Sequence, residues 1–186
     1  MDGDAFINGT VNPEALALDR FVKRDDASGS GSPARGQSLL LYADNLGVTT
    51  PNGSYVMEIN AGFQTTVGNS ITPYNGKPFS RVDDADGGIR IALSKNGTEF
   101  WSTLINASEW QQQNNTNLRS YSTIRTFVAD APGGSDAGTG NVVVAVYAVQ
   151  GASDTGVMDE GDSYSQQRSA NYSSFAFTMK TKWTFI

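Results

Sequence analysis

The stretch from Tyr172 to Ile186, YSSFAFTMKTKWTFI, constrains the fold more than any other part of the chain. Phe175, Phe177, Met179, Thr181, Trp183 and Phe185 share one side of a two-residue period, and Ala176, Thr178, Lys180, Lys182 and Thr184 share the other. Such alternation predicts a β-strand with an aromatic face and a wet face. At roughly 3.3 Å per residue it would span about 45–50 Å, more than twice an ordinary strand. A strand of that length needs a large sheet beneath it, a bulge partway, or a neighbouring subunit. Phe175, Phe177, Trp183 and Phe185 are therefore candidate assembly contacts, and the final residues are expected to be docked.

Most of the preceding chain gives β signals. Ser38–Tyr42 is a short apolar run, and Leu46–Thr50 leads into the turn Pro51-Asn52-Gly53. Tyr55, Met57, Ile59, Ala61 and Phe63 alternate with polar neighbours, with Gly62 suggesting a bend or bulge. Ile89, Ile91 and Leu93 lead to Asn96-Gly97, and Phe100–Ile105 returns, a hairpin signature with a specific turn. Tyr121–Ala129 is strand-like, and Asn141–Gln150 (NVVVAVYAVQ) has the composition of a strand buried on both faces. Residues 67–88, 110–115, 130–140 and 151–171 are expected as polar connections. About eight strands at regular intervals predict an all-β fold, an antiparallel sandwich of jelly-roll type.

Residues 1–36 differ in character. Asn12-Pro13-Glu14 is a helix start, with an Asn cap, Pro at the first helical position and a carboxylate at the positive end. A helix to about Lys23 would use Leu16 and Phe21 as apolar contacts, and a helix that short must dock on something. Ser28-Gly29-Ser30-Gly31-Ser32-Pro33 has linker composition. Two organisations follow: a docking arm (1–36) joined flexibly to a head (37–186), or an N-terminal helix packed on its own domain.

Composition limits the chemistry. The 186 residues include no cysteine and no histidine. Disulfides, Cys/His zinc sites, imidazole switches and histidine-based triads are therefore excluded. The net charge of −6 comes without a clustered basic face, which argues against nucleic acid as a partner. No apolar run reaches the length that spans a bilayer, so membrane insertion is not expected. The segment MDGDAFINGTVNPE lacks the basic and apolar regions of a signal peptide, so release by lysis or within a particle is expected.

Three groups of residues carry possible sites. Asp83, Asp84 and Asp86 beside Gly87-Gly88 either bind calcium through oxygen ligands or form an acidic surface turn. Asp154, Asp159, Glu160 and Asp162 pose the same choice. Trp101, Trp110, Tyr121 and Tyr164 lie near expected loop ends, where aromatic rings stack on sugars or fill a core or interface. Sugar hydrolysis would require loops to pair two carboxylates from Asp86, Glu99 and Asp162, and no spacing selects a pair. No catalytic residue is assigned, and no cofactor beyond that calcium is implied.

The succession PNGSYVMEINAGF, IALSKNGTEFW, the valine strand and the aromatic terminal strand resembles TNF-like, complement-type globular heads over about Gln37–Ile186. That resemblance implies a jelly roll that assembles as a homotrimer. The segment FINGTVNPEALA resembles the start of bacteriophage fibre and capsid-decoration proteins. It implies a non-enzymatic virion protein whose first 36 residues join other virion proteins. Its head would serve assembly or attachment to a host-surface glycan or protein. A monomeric carbohydrate-binding module is the alternative.

Overall fold

The terminal strand is longer than its hydrophobic pattern indicates. In the computed structural model, which describes residues 22–46, 54–69, 81–84, 86–112, 118–130, 142–152, 155–159 and 165–185, it runs from Ser165 to Phe185. The described residues form eleven strands: β1 (Val22–Gly31), β2 (Ser38–Asn45), β3 (Ser54–Asn69), β4 (Arg81–Asp84), β5 (Gly88–Lys95), β6 (Thr98–Asn106), β7 (Gln111–Gln112), β8 (Leu118–Asp130), β9 (Val142–Val149), β10 (Thr155–Asp159) and β11 (Ser165–Phe185).

Every ladder is antiparallel. β1, β11, β3 and β8 lie side by side in a large sheet, extended by β4 and β10 on β11 and by β7 on β8. A smaller sheet has the order β2-β9-β5-β6. Without the short β4, β7 and β10, the sheets read first–last–third–sixth and second–seventh–fourth–fifth in chain order. That is the strand order of a jelly roll. The expected all-β antiparallel sandwich is what the chain forms.

β11 meets its length with two of the devices it requires. A large sheet lies beneath it, with β3 along 170–185 and β1 along 175–184. The β3 register also shifts between Tyr172 and Ser174. Phe175, Phe177, Met179, Thr181 and Trp183 are buried, as the alternation predicts. The four apolar ones share one continuous core with Ile89, Ile91, Leu93, Val142, Val144 and Val146 of the smaller sheet. Each large apolar side chain so buried contributes about 1.5–3 kcal/mol.

Asn96 and Gly97 have φ of 51° and 81°, the two positive values a type I′ hairpin turn demands. The valine strand β9 is central in its sheet, and Ala145 on its outer face is 7% exposed. Tyr147 beside it is half-buried, so the outer face is only partly covered.

Several expectations need correction. The Gly/Ser segment is not a linker: residues 22–31 pair with Thr184 back to Phe175 as an edge strand. Its glycines answer a packing demand. A Cβ on Gly29 would sit 2.8 Å from the Leu41 carbonyl oxygen and 2.9 Å from the Phe177 ring, and one on Gly31 would meet the leucine ends of β2. Val22 and Lys23, the expected end of a helix, begin β1; residues 1–21, with Asn12, Pro13, Leu16 and Phe21, lie outside the described residues. Gly62 marks no bulge, since β3 keeps an unbroken register with β8 across it. Three of the expected polar connections contain strand: β3 continues to Asn69 and β4 follows, β7 begins at Gln111, and β10 and the start of β11 fall within 151–171. Backbone ladders hold these polar stretches, so they carry no hydrophobic period for a sequence to display.

Candidate functional site

The aromatic residues singled out above are mostly structural. Trp110 is 5% exposed, with its ring 5.8 Å from Phe63 in a near-parallel stack and 5.8 Å from Phe175 edge-on. The ring stands in the core between the sheets, not at a loop exit open to a sugar. Trp101 is half-buried and packs edge-on against Phe127 at 5.5 Å. Tyr121 stacks on Phe63 at 6.5 Å, and its hydroxyl accepts a 2.7 Å hydrogen bond from Arg125. Tyr164 lies outside the described residues.

Arg125 also donates to Glu109 at 2.8 Å. Burial lowers its pKa, but the hydrogen bonds and charges of Tyr121 and Glu109 outweigh that and leave it above the ordinary guanidinium value. A cation with a raised pKa contributes stability at all lower pH and loses it only as pH climbs through that value. This pair is therefore constant across the neutral range.

The proposed assembly residues Phe175, Phe177 and Trp183 are 0, 3 and 1% exposed within a single chain. Their surface is spent on the chain's own core, which leaves none for a partner. Phe185 closes β11. Asp83 and Asp84 belong to β4 instead of a turn, and Asp86 is exposed beyond it. Among the described residues no three potential ligands come together to hold a metal ion. Glu99 accepts hydrogen bonds at both its oxygens, 3.0 and 2.9 Å, from one Arg90 nitrogen. The Arg90 guanidinium also lies 4.6 Å from the Tyr147 ring centre.

Among the described residues, what remains open is the outer face of the large sheet. Its registers align residues in rows across β1, β11, β3 and β8. Ser28, Thr178, Gly62 and Ser122 form one row, and Asp26, Lys180, Asn60 and Ile124 form another. In the next, Lys182 donates to Glu58 at 2.6 Å, an exposed pair worth less than about 1 kcal/mol. Small side chains leave this face low along β11, where hollows of about 670, 380 and 290 Å³ follow one another; the first two share Asn60 and Lys180, and the second and third share Gly62 and Thr178. Ile124 and Val128 stand up from the same face at 80% and 59% exposed.

Neither aliphatic residue is evident from the sequence. Both faces of β8 carry apolar groups, with Tyr121 and Phe127 opposite Ile124 and Val128, so alternation alone does not say which face is wet. The register with β3 decides it: Phe63 lies opposite Tyr121, which turns Ile124 outward.

No known protein family and no curated protein matches the chain. Among solved structures it is similar to VP2 in a subviral particle of infectious bursal disease virus, at 12% identity and a TM-score of 0.38, over 90% of this chain and 37% of that one. A structure of the Gx strain of the same virus matches at 15% identity and a TM-score of 0.36, over 90% and 36%. The chain thus spans little more than a third of the chains it matches.

Proposed function

We propose that this chain is a non-enzymatic structural protein of a virion, of the bacteriophage fibre or decoration kind. Its jelly-roll head assembles as a homotrimer, and its N-terminal residues join it to other virion proteins. The observation that carries this reading is the mismatch between the two sheets. β11 and β3 run 21 and 16 residues, whereas β5 and β9 in the facing sheet run 8 each. The large sheet exceeds what one sandwich core needs, and it presents a broad, small-residue face with exposed aliphatic side chains.

Such a module offers rigid faces and edges, which suit repeated contacts between copies. The resemblance in the sequence supports the phage assignment. Attachment to a host-surface glycan or protein belongs to the same proposal.

One feature favours carbohydrate binding as a second reading. The trough along β11 sets Asn60, Thr178 and Lys180 beside Ile124, a polar floor with one apolar edge. Purified full-length protein tested by light scattering and on a glycan array separates the two. A defined oligomer without glycan binding supports the virion reading. A monomer that binds glycans, and loses them on Lys180→Ala, supports the module.

A further inference from the structure

Sheet edges in natural proteins are guarded, because a row of unpaired backbone N–H and C=O groups invites another strand. Most edges described here carry a guard. β1 is charged over Lys23, Arg24, Asp25 and Asp26 and holds two glycines. β2 has a register break at Leu40–Tyr42, and β6 has one opposite Leu93–Ser94.

β8 differs. Among the described residues, β7 covers its outer side only at Arg119 and Ser120. Beyond them, among the described residues, Tyr121–Asp130 is paired on the β3 side alone, through an unbroken register. This stretch, YSTIRTFVAD, contains no Lys, Pro or Gly. It also carries Ile124 and Val128, the two most exposed large hydrophobic residues described.

We infer that β8 is an assembly edge whose occupant is β8 of a second copy, joined antiparallel about a two-fold axis through Thr126. The strand is self-complementary in that register and in none adjacent to it. With the axis at Thr126, Ile124 of each copy lies opposite Val128 of the other, and Arg125 lies opposite Phe127. Ser122 falls opposite Asp130, a hydroxyl against a carboxylate. Moving the axis to Arg125 sets two guanidinium groups against each other, and moving it to Phe127 sets Ile124 against Asp130. Directly opposed like charges are destabilising in a sheet, whereas aliphatic pairs stabilise it. The overlap 122–130 stops short of β7, so the two copies form one continuous sheet without displacing any described strand.

A contact confined to one strand edge falls among small interfaces, below about 1,200 Å², where association is reversible. It needs no trimer. Monomeric heads would join as dimers, and trimeric heads would be linked to further trimers, so the contact and the trimer reading fail separately.

The test exploits the absence of cysteine from the chain. Thr126→Cys places one thiol on the axis, where directly opposite Cβ atoms are about 4.5–5.5 Å apart, close to disulfide reach. Gln64→Cys, exposed on the same face but inside the sheet, is the control. Mild oxidation of the full chain is expected to cross-link Thr126→Cys into covalent pairs and to leave Gln64→Cys uncoupled. Replacing Ile124 and Val128 together by Lys is expected to weaken pairing at least about tenfold by sedimentation, with circular dichroism unchanged. Equal cross-linking of the two cysteine variants, or a reversible pairing step (monomer to dimer, or trimer to larger species) untouched by the double Lys substitution, would overturn the inference.

Discussion

Replacing Gly29 by alanine distinguishes an edge strand from a linker by the size of its effect. In a flexible linker Gly→Ala is close to neutral, since the residue is as free in the folded chain as in the unfolded one and the lost freedom cancels. In β1 the same methyl group would lie 2.8 Å from the Leu41 carbonyl oxygen and 2.9 Å from Phe177 Cε1. The first neighbour is backbone, and the second is a ring buried to 3% exposure, so neither yields easily. Overpacking of this kind costs about 1–3 kcal/mol. At roughly 2–4 °C per kcal/mol for a chain of this size, a mid-range cost lowers the melting temperature by about 4–8 °C. Urea unfolding followed by tryptophan fluorescence gives the free energy, and a thermal melt checks it. Ser30→Ala, exposed between the two glycines, serves as the control and is expected to stay within about 0.5 kcal/mol. Gly31→Ala should cost less than Gly29→Ala, because its neighbours are leucine methyl groups that can move. A neutral or stabilising Gly29→Ala would refute the packing of β1 over β2.

Three further substitutions probe other parts of the account. Trp110→Ala is expected to cost about 3–5 kcal/mol in urea unfolding, since it empties a core site between Phe63 and Phe175; unchanged stability would put that ring at the surface. Gly97→Ala is expected to cost about 1–2 kcal/mol because φ is 81° there, and a neutral result would contradict the type I′ turn. Lys182→Ala should cost less than about 1 kcal/mol in low salt and nothing measurable in 1 M salt, where screening reaches about 3 Å. A larger or salt-independent loss would mean that Lys182 does more than pair with Glu58.

The readable parts of the sequence were those where one face of a strand is apolar and the other is not. β11 from Phe175 onward, β3 from Tyr55 to Phe63 and the β5–β6 hairpin follow from periodicity and from Asn96-Gly97. Stretches held by backbone pairing alone gave no such signal. β4, β10 and the first residues of β11 are polar, and their composition matches that of a loop. The Gly/Ser run of β1 was misleading for a different reason: glycine there answers a close approach from a strand distant in sequence. The large exposed face escaped for a third reason. The aromatic residues that attract attention as binding platforms are the ones the core consumes. The face left to solvent is built from Ser, Thr, Asn, Gly and charged residues, with Ile124 and Val128 on an edge strand whose two sides look alike.

Solution mass tests the central claim, a self-assembling head, most directly. Light scattering across a range of concentrations should be run on the full chain and on a version beginning at Val22, which keeps the whole of β1. The account predicts three times the mass of the chain in each case, that chain mass being 19.8 kDa for the full one, with a further rise at high concentration as the β8 edges join. A mass of one chain at every concentration, in both versions, would contradict it.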